Sequence, residues 1–383
     1  MKIRVDTIFF FLFIVAFLVE GVLAEGVACS CLLSIWVLDR KKNKLIIGKQ
    51  LYGKSLLFIC FYLTLFIIHL YIDDCPNIIR FYGLTKCICT PALVLLVFPN
   101  ICKEEKTILT IILLTMVYNM IYGISGLKEG VVLEDICYQF GSYNGCSGIA
   151  VILFPIVFSM FHLCSQKSFE KYLLILYFFS TFFVVYISES LTTQVILSFQ
   201  LLILFFTSKR VKNIIKRHTK LICVCVVFAL ALISIFIANN TIELDPTALR
   251  TRADIWSTAY KSFVSQNIIN IVLGGGDCWV QMESKVLQAH NAFIEILLIY
   301  GIVGLLFFVI SCIYFFKNIF TRNLGHQSVY LCLSIISYFL FCFMHPFYTG
   351  VFAFQIICVL GMLYLLVNTL RMSVKYSKLS RND

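Results

Sequence analysis

The side chains in this chain best equipped for chemistry gather at the edge of a long apolar run. In AHNAFIEILLIYGIVG, residues 289–304, His290, Asn291 and Glu295 stand at the mouth of that run, just after the largest polar loop. Polar and ionisable groups where a helix enters lipid are costly unless they have partners or a task. Imidazole titrates near neutrality and is the usual general base at physiological pH. Asn291 and Glu295 are four apart and so share one helix face. Upstream in the same loop stand Arg250 and Arg252, whose guanidinium forks suit a diphosphate better than an ammonium would. Two guanidiniums and an imidazole on one side of a membrane imply work on a phosphorylated, membrane-borne substrate.

Each group also has an ordinary role to fill. Arg250 and Arg252 could snorkel, or pair with Asp254 and Glu243. Residues two apart on a helix point in different directions, so one of the two arginines is expected to face a site. His290 could serve as a helix cap, and Glu295 could orient Asn291 or hydrogen-bond another span. Gly301 and Gly304 read as close helix packing. Gly274-Gly275-Gly276 lacks the following Gly-Lys-Ser/Thr of a phosphate loop. Asp73-Asp74 could hold a metal for a sugar-phosphate donor, but beside Pro76 it reads better as a turn or cap. Glu189 and His345 are further polar groups on the same side. Of the 17 cysteines, most lie within apolar runs, where they act as small apolar residues. No Cys/His grouping has metal-ligand spacing. Cys137 and Cys146 share a loop and are expected to stay unpaired.

The elements that must position these groups are membrane helices. The chain is 60% hydrophobic and only 13% charged, with a mean hydropathy of +0.93, and its charges fall in clumps between apolar runs of spanning length. Short alternating strands of a β-barrel are absent from runs such as TIFFFLFIVAFLV. The expectation is an all-α, polytopic membrane protein, a single membrane domain over 1–383. About twelve spans are read, near 7–20, 22–38, 55–72, 84–101, 107–124, 145–164, 172–187, 191–207, 221–238, 290–316, 328–344 and 351–369. With the N-terminus cytoplasmic, 24 of the 31 Lys and Arg fall inside and 7 outside, which sets the orientation. That bias accounts for the net charge of +11 without nucleic acid. Both termini are then cytoplasmic, and Arg250, Arg252 and His290 face outward. Residues 1–24 could instead be a cleaved signal peptide ending in Val22-Leu23-Ala24; the second apolar run follows at once and favours a helical hairpin.

Two outer loops are longer than the rest, 125–144 and 239–289; only the second has room for a folded element, and it is expected to carry part of the active site. Asp245-Pro246-Thr247 reads as a helix start. In ALRTRADIWSTAYKSFV, Leu249, Ile255, Trp256, Ala259, Tyr260 and Phe263 recur at helical spacing, as in a helix lying at the lipid interface. Leu273-Gly274-Gly275-Gly276-Asp277 then allows a close turn.

Taken in order, Arg252-Ala253-Asp254-Ile255-Trp256, the Gly274–Gly276 turn, and His290-Asn291 followed by Glu295, Gly301 and Gly304 resemble the bacterial O-antigen polymerases and O-antigen ligases. The order and spacing agree over that stretch, and the twelve-span topology agrees over the whole chain. Gly141-Ser142-Tyr143-Asn144 with Gly148-Ile149-Ala150 looks like the family's Gly/Asn-rich start of a span. Cys137, Tyr138 and Gln139 stand where that family often has an Arg, and Ser188-Glu189-Ser190 where many members carry Ser-Arg. Both departures remove a cation and shift weight to Arg250 and Arg252.

The resemblance implies a membrane-embedded, metal-independent, inverting glycosyltransferase at the periplasmic face of the bacterial inner membrane. Its donor would be an oligosaccharide on undecaprenyl diphosphate, and its acceptor a growing glycan or lipid A core. Surface polysaccharide, O-antigen or capsule, would be the product, and a chain-length regulator a further partner. Arg252, with Arg250, would neutralise the diphosphate. His290 would take the acceptor proton, with Asn291 and Glu295 in support. No cofactor is needed, because the diphosphate linkage supplies both activation and leaving group. A repeat-unit polymerase is the first reading and a ligase the second. A lipid-linked glycan flippase is third, because transporters place polar groups near the midplane and show repeated halves.

Overall fold

Apolar runs of this length fold as helices, because a helix satisfies its backbone N–H and C=O groups within the segment. The structure is a computed structural model describing residues 4–18, 22–72, 78–113, 115–116, 143–163, 168–188, 190–207, 246–275, 291–320, 327–344 and 352–379. Among these the fold is all-α, without strands. The helices are α1 (Val5–Leu18), α2 (Val22–Ile47), α3 (Lys49–Ile72), α4 (Ile78–Val97), α5 (Tyr143–Leu163) and α6 (Ser168–Ile187). They continue with α7 (Leu191–Thr207), α8 (Pro246–Val264), α9 (Ile268–Leu273), α10 (Ala292–Phe320), α11 (Gln327–Met344) and α12 (Phe352–Leu379). Residues 105–113 are helical as well.

Among the described residues, three helical stretches are long and apolar enough to cross a membrane: Lys49–Tyr71, Phe169–Tyr186 and Ala292–Asn318. Shorter apolar helices occupy Val5–Ala16, Tyr82–Val97, Cys146–Phe161, Leu191–Thr207, Ser328–Met344 and Gln355–Arg371. These nine helices fall on nine of the twelve apolar runs read from the sequence; 22–38 lies within α2 and is not among them, and part of 107–124 and all of 221–238 lie outside the described residues. α8 and α9 occupy the long polar loop. In one respect the expectation is corrected. The basic stretch Arg40–Lys44 is helix rather than loop; α2 runs on to Ile47, and the chain turns only at Gly48 before α3 begins.

α1 and α2 form a hairpin, α3 packs along α4, and α5 is the hub that α6, α7, α11 and α12 surround. Fully buried Tyr62, Tyr177, Tyr300, Phe98 and Phe154 fill the interior. At one end, which carries Arg40–Lys44 and is called the basic end below, polar side chains clasp four segments together. Asn43 is fully buried; its amide donates to the Leu96 and Val97 carbonyls at 3.0 and 2.8 Å, and its Oδ1 accepts from the Asn100 N–H at 2.8 Å. These bonds satisfy carbonyls that the end of α4 leaves unpaired. Arg4 pairs with Asp6 and donates to Glu104 at 2.7 Å. Lys103 donates to Asn100 Oδ1, and Arg371 of α12 to the Lys103 carbonyl, at 2.7 and 3.2 Å.

Two carboxylates in this clasp are driven apart in acidity. Burial pushes Asp6 upward, but the hydrogen bonds from Arg4 and Asp39, the Arg4 charge and the Thr7 N–H outweigh it and hold Asp6 below its ordinary value. Asp39 ends above its ordinary value. Burial is the main cause and the facing Asp6 adds to it, while Asn100 and Lys42 oppose it. Two like charges that share one dry site separate in this way.

Candidate functional site

At the opposite end, α8 and α9 lie against α10. α8 starts at Pro246, where a fixed φ and a missing N–H cost nothing. Its packed face carries buried Ala259 and Phe263, and Trp256 meets Phe343 of α11 edge-on at 5.7 Å. Phe343 in turn sits 6.4 Å from Phe293 in the first turn of α10. The helix α8 is thereby fixed beside the start of α10.

Both arginines fall on the α8 backbone, and their side chains lie outside the described residues. The helix register separates them all the same. Position 252 shares its face with 256, 259 and 263, the packed side, whereas position 250 shares its face with exposed 254, 257 and 261. The register thus sets positions 250 and 252 on different faces of α8.

The chain then turns at Ser265–Asn267, where the Asn267 side chain accepts from the Asn270 N–H and starts α9. α9 ends on Gly274, which has φ 96° and is pressed against α10. A Cβ at Gly274 would strike the Ile299 carbonyl, and one at Gly301 would strike the Val272 carbonyl. Gly301 itself has φ 67° and ψ −170°, so α10 is broken there into two helical halves. Only glycine takes such a conformation at low cost. The Gly275 N–H donates to the Leu298 carbonyl at 3.0 Å, one of the carbonyls that the break leaves without a helical donor. Gly301 and Gly304 thus serve packing, as their spacing indicates; Gly304 offers its carbonyl to the Tyr62 hydroxyl at 2.8 Å.

Asn291 and Glu295 are both buried at the start of α10, each 2% exposed. Asn291 Oδ1 accepts from the N–H groups of Phe293 and Ile294 at 2.9 and 3.2 Å, and the Asn291 carbonyl accepts from the Glu295 N–H at 3.1 Å. Asn291 is therefore the N-cap, the role the sequence left open for His290. His290 itself lies outside the described residues, as do Gly276, Asp73-Asp74, Cys137, Glu189 and His345.

His69, unremarked in the sequence, belongs to this cluster. It is buried in the last turn of α3, and its Nε2 donates to the Leu273 carbonyl at 2.9 Å. Its ring faces Tyr300 at 6.5 Å, whose hydroxyl shares a 2.6 Å hydrogen bond with Thr85. A histidine near the end of an apolar run was the available signal. Among the described residues no group of three or more His, Cys, Asp or Glu converges on a metal-sized site. The described part of this end is a packed floor formed by α3, α9 and α10, with α8 beside it. The chain matches no protein-family model and no curated protein.

Proposed function

We propose that this protein is a membrane glycosyltransferase of the O-antigen polymerase and ligase kind. In this reading it moves a glycan from undecaprenyl diphosphate to an acceptor sugar hydroxyl. One observation carries the reading. The helix that bears Arg250 and Arg252 lies beside the capped start of α10, where Asn291 and Glu295 are buried and His290 is the preceding residue in the sequence. Twelve spans support the site, with the basic end and both termini cytoplasmic and the loop end at the periplasmic face of the bacterial inner membrane.

The donor diphosphate binds at Arg252, with Arg250 as a second cation. His290 accepts the proton as the acceptor oxygen attacks the anomeric carbon. The new C–O bond forms as the bond from that carbon to the phosphate oxygen breaks, with inversion, and the lipid diphosphate leaves with its charge neutralised by the guanidinium. Asn291 fixes the helix start beneath His290, and Glu295 supports it from one turn deeper. No metal or cofactor enters these steps. A repeat-unit polymerase is the preferred assignment; a ligase would use the same groups on a lipid A core acceptor.

The test is a deletion strain complemented with variants. His290→Ala is expected to abolish glycan chain growth while the protein still inserts; normal chain length in that strain would remove the proposal. One repeat unit on the core in the deletion strain assigns a polymerase, and long chains left on the carrier lipid assign a ligase. Activity is expected to persist in excess EDTA; loss restored by Mg²⁺ or Mn²⁺ would redirect attention to Asp73-Asp74.

A further inference from the structure

A cavity of about 310 Å³ lies towards the basic end, walled by α3, α4, α10, α11 and α12. That volume is at the lower end of the range of roughly 300–1,000 Å³ typical of ligand pockets. Phe58, Ile88, Leu95, Tyr338 and Leu363 form its apolar wall. Water needs two or more polar partners to stay in such a space, and this wall offers few. Leu57 of α3 and Ile310 of α10 also line the cavity, yet they are 59% and 61% exposed. The cavity therefore opens sideways, between α3 and α10, onto the outer surface of the bundle.

Its mouth has a polar edge. Lys54 Nζ sits 3.3 Å from the centroid of the Tyr314 ring, and both residues line the cavity. The Tyr314 hydroxyl is buried and has no hydrogen-bond partner among the described residues. A phenol O–H in that state wants an acceptor, and the ammonium beside it wants an anion. An oxygen-rich anionic head attached to a hydrocarbon chain satisfies both at once.

We infer that this cavity is a binding site for an anionic phospholipid, with one acyl chain inside and its phosphate at Lys54 and Tyr314. The inference rests on the membrane placement proposed above and not on the transferase chemistry. The glycan carrier is a poorer occupant on geometry. Lys54 lies 15 residues along α3 from His69, about 22 Å at 1.5 Å per residue. A carrier with its diphosphate at the loop end would bring only hydrocarbon to Lys54. A phospholipid of the cytoplasmic leaflet brings its charge to the right level.

The test uses the full-length protein purified in neutral detergent, with thermal unfolding and native mass spectrometry as readouts. The titrants are phosphatidylglycerol, phosphatidylcholine, undecaprenyl phosphate and glycerol 3-phosphate. Phosphatidylglycerol is expected to stabilise the protein and to be retained, while free glycerol 3-phosphate does neither. Lys54→Gln should weaken phosphatidylglycerol about 5-fold, the worth of one basic side chain at a lipid surface, and leave phosphatidylcholine unchanged. Ala92→Phe, which fills the cavity, should abolish retention of both; should it fail to fold, Ser311→Phe closes the same space from α10. Undiminished phosphatidylglycerol binding in the filled variant, or a preference for undecaprenyl phosphate, overturns the inference. Alkaline carbonate extraction of the wild type tests the membrane placement separately: release into the soluble fraction would sink that placement itself.

Discussion

The two ends of the bundle both bury polar groups, but they bind them by different means. At the basic end the ties are side chains reaching across large gaps in sequence: Asn43 to the end of α4, Arg4 to Glu104, Arg371 to Lys103. At the loop end the ties are mainly backbone: Gly274 against Gly301, Gly275 to Leu298, and Leu273 held by His69. A clasp made of side chains can lose one bond and keep the rest. A backbone interlock leaves no room for a single added carbon. On the proposed function, the difference would suit an end that only has to stay closed and an end that holds reacting groups in one geometry.

The sharpest way to break this comparison is to add a side chain to the interlock. Gly274→Val would demand a left-handed backbone from a β-branched residue and drive its Cβ into the Ile299 carbonyl. Strain of about 1–3 kcal/mol and overpacking of similar size predict a loss of roughly 2–6 kcal/mol. Loss of the monodisperse peak in detergent chromatography after mild heating would register it. A variant as heat-resistant as wild type would mean that α9 is not docked on α10.

Much of this arrangement was legible in the sequence, and what was missed was missed for physical reasons. Long apolar runs located the helices, and Asp245-Pro246 marked the start of α8 because capping and proline preferences are local. The break at Gly301 was not legible, since its cause is Gly274, 27 positions away, and only the folded contact makes a helical φ impossible there. The passage of α2 through Arg40–Lys44 was hidden for the same reason. Lys and Arg are good helix formers, and the reward for continuing is delivered by α4 through Asn43. The cap at Asn291 was legible in principle, because Asn is among the strongly preferred N-cap residues.

Smaller effects sharpen the loop end further. Asn291→Ala should cost about 1 kcal/mol through loss of the cap, and Asn291→Asp should restore that stability because Asp caps as well. If glycan transfer also returns with Asp, Asn291 serves only the helix; if stability returns alone, its amide has a second task. His69→Phe removes the donor to Leu273 and should cost about 1 kcal/mol. Rescue by His69→Gln, read as unfolding temperature, would show that the hydrogen bond rather than the imidazole matters.

The smallest predicted effect has the opposite sign, and it separates the two carboxylates of the basic end. Asp39 is raised by burial and by the facing Asp6, so its ionised form is a burden to the folded state at neutral pH, relieved as pH falls through its raised value. Asp6 is held low, so its ionised form adds stability above the ordinary carboxylate range, lost as pH falls through its depressed value. At pH 7, Asp39→Asn should therefore unfold at or slightly above the wild-type temperature, since an amide can donate to Asp6 as a neutral carboxyl would. That margin should vanish as the wild type takes up its proton at lower pH. Asp6→Asn should instead be less stable than wild type at pH 7, with the deficit shrinking in acid as the wild type loses the same anion. Arg4, Lys42, Lys103 and Glu104 stay in place in both variants, so the contrast isolates the pair. Equal losses for both at pH 7 would mean that both carboxylates are held as anions, each with its own cation, and the basic end would then resemble a set of separate ion pairs more than a shared clasp.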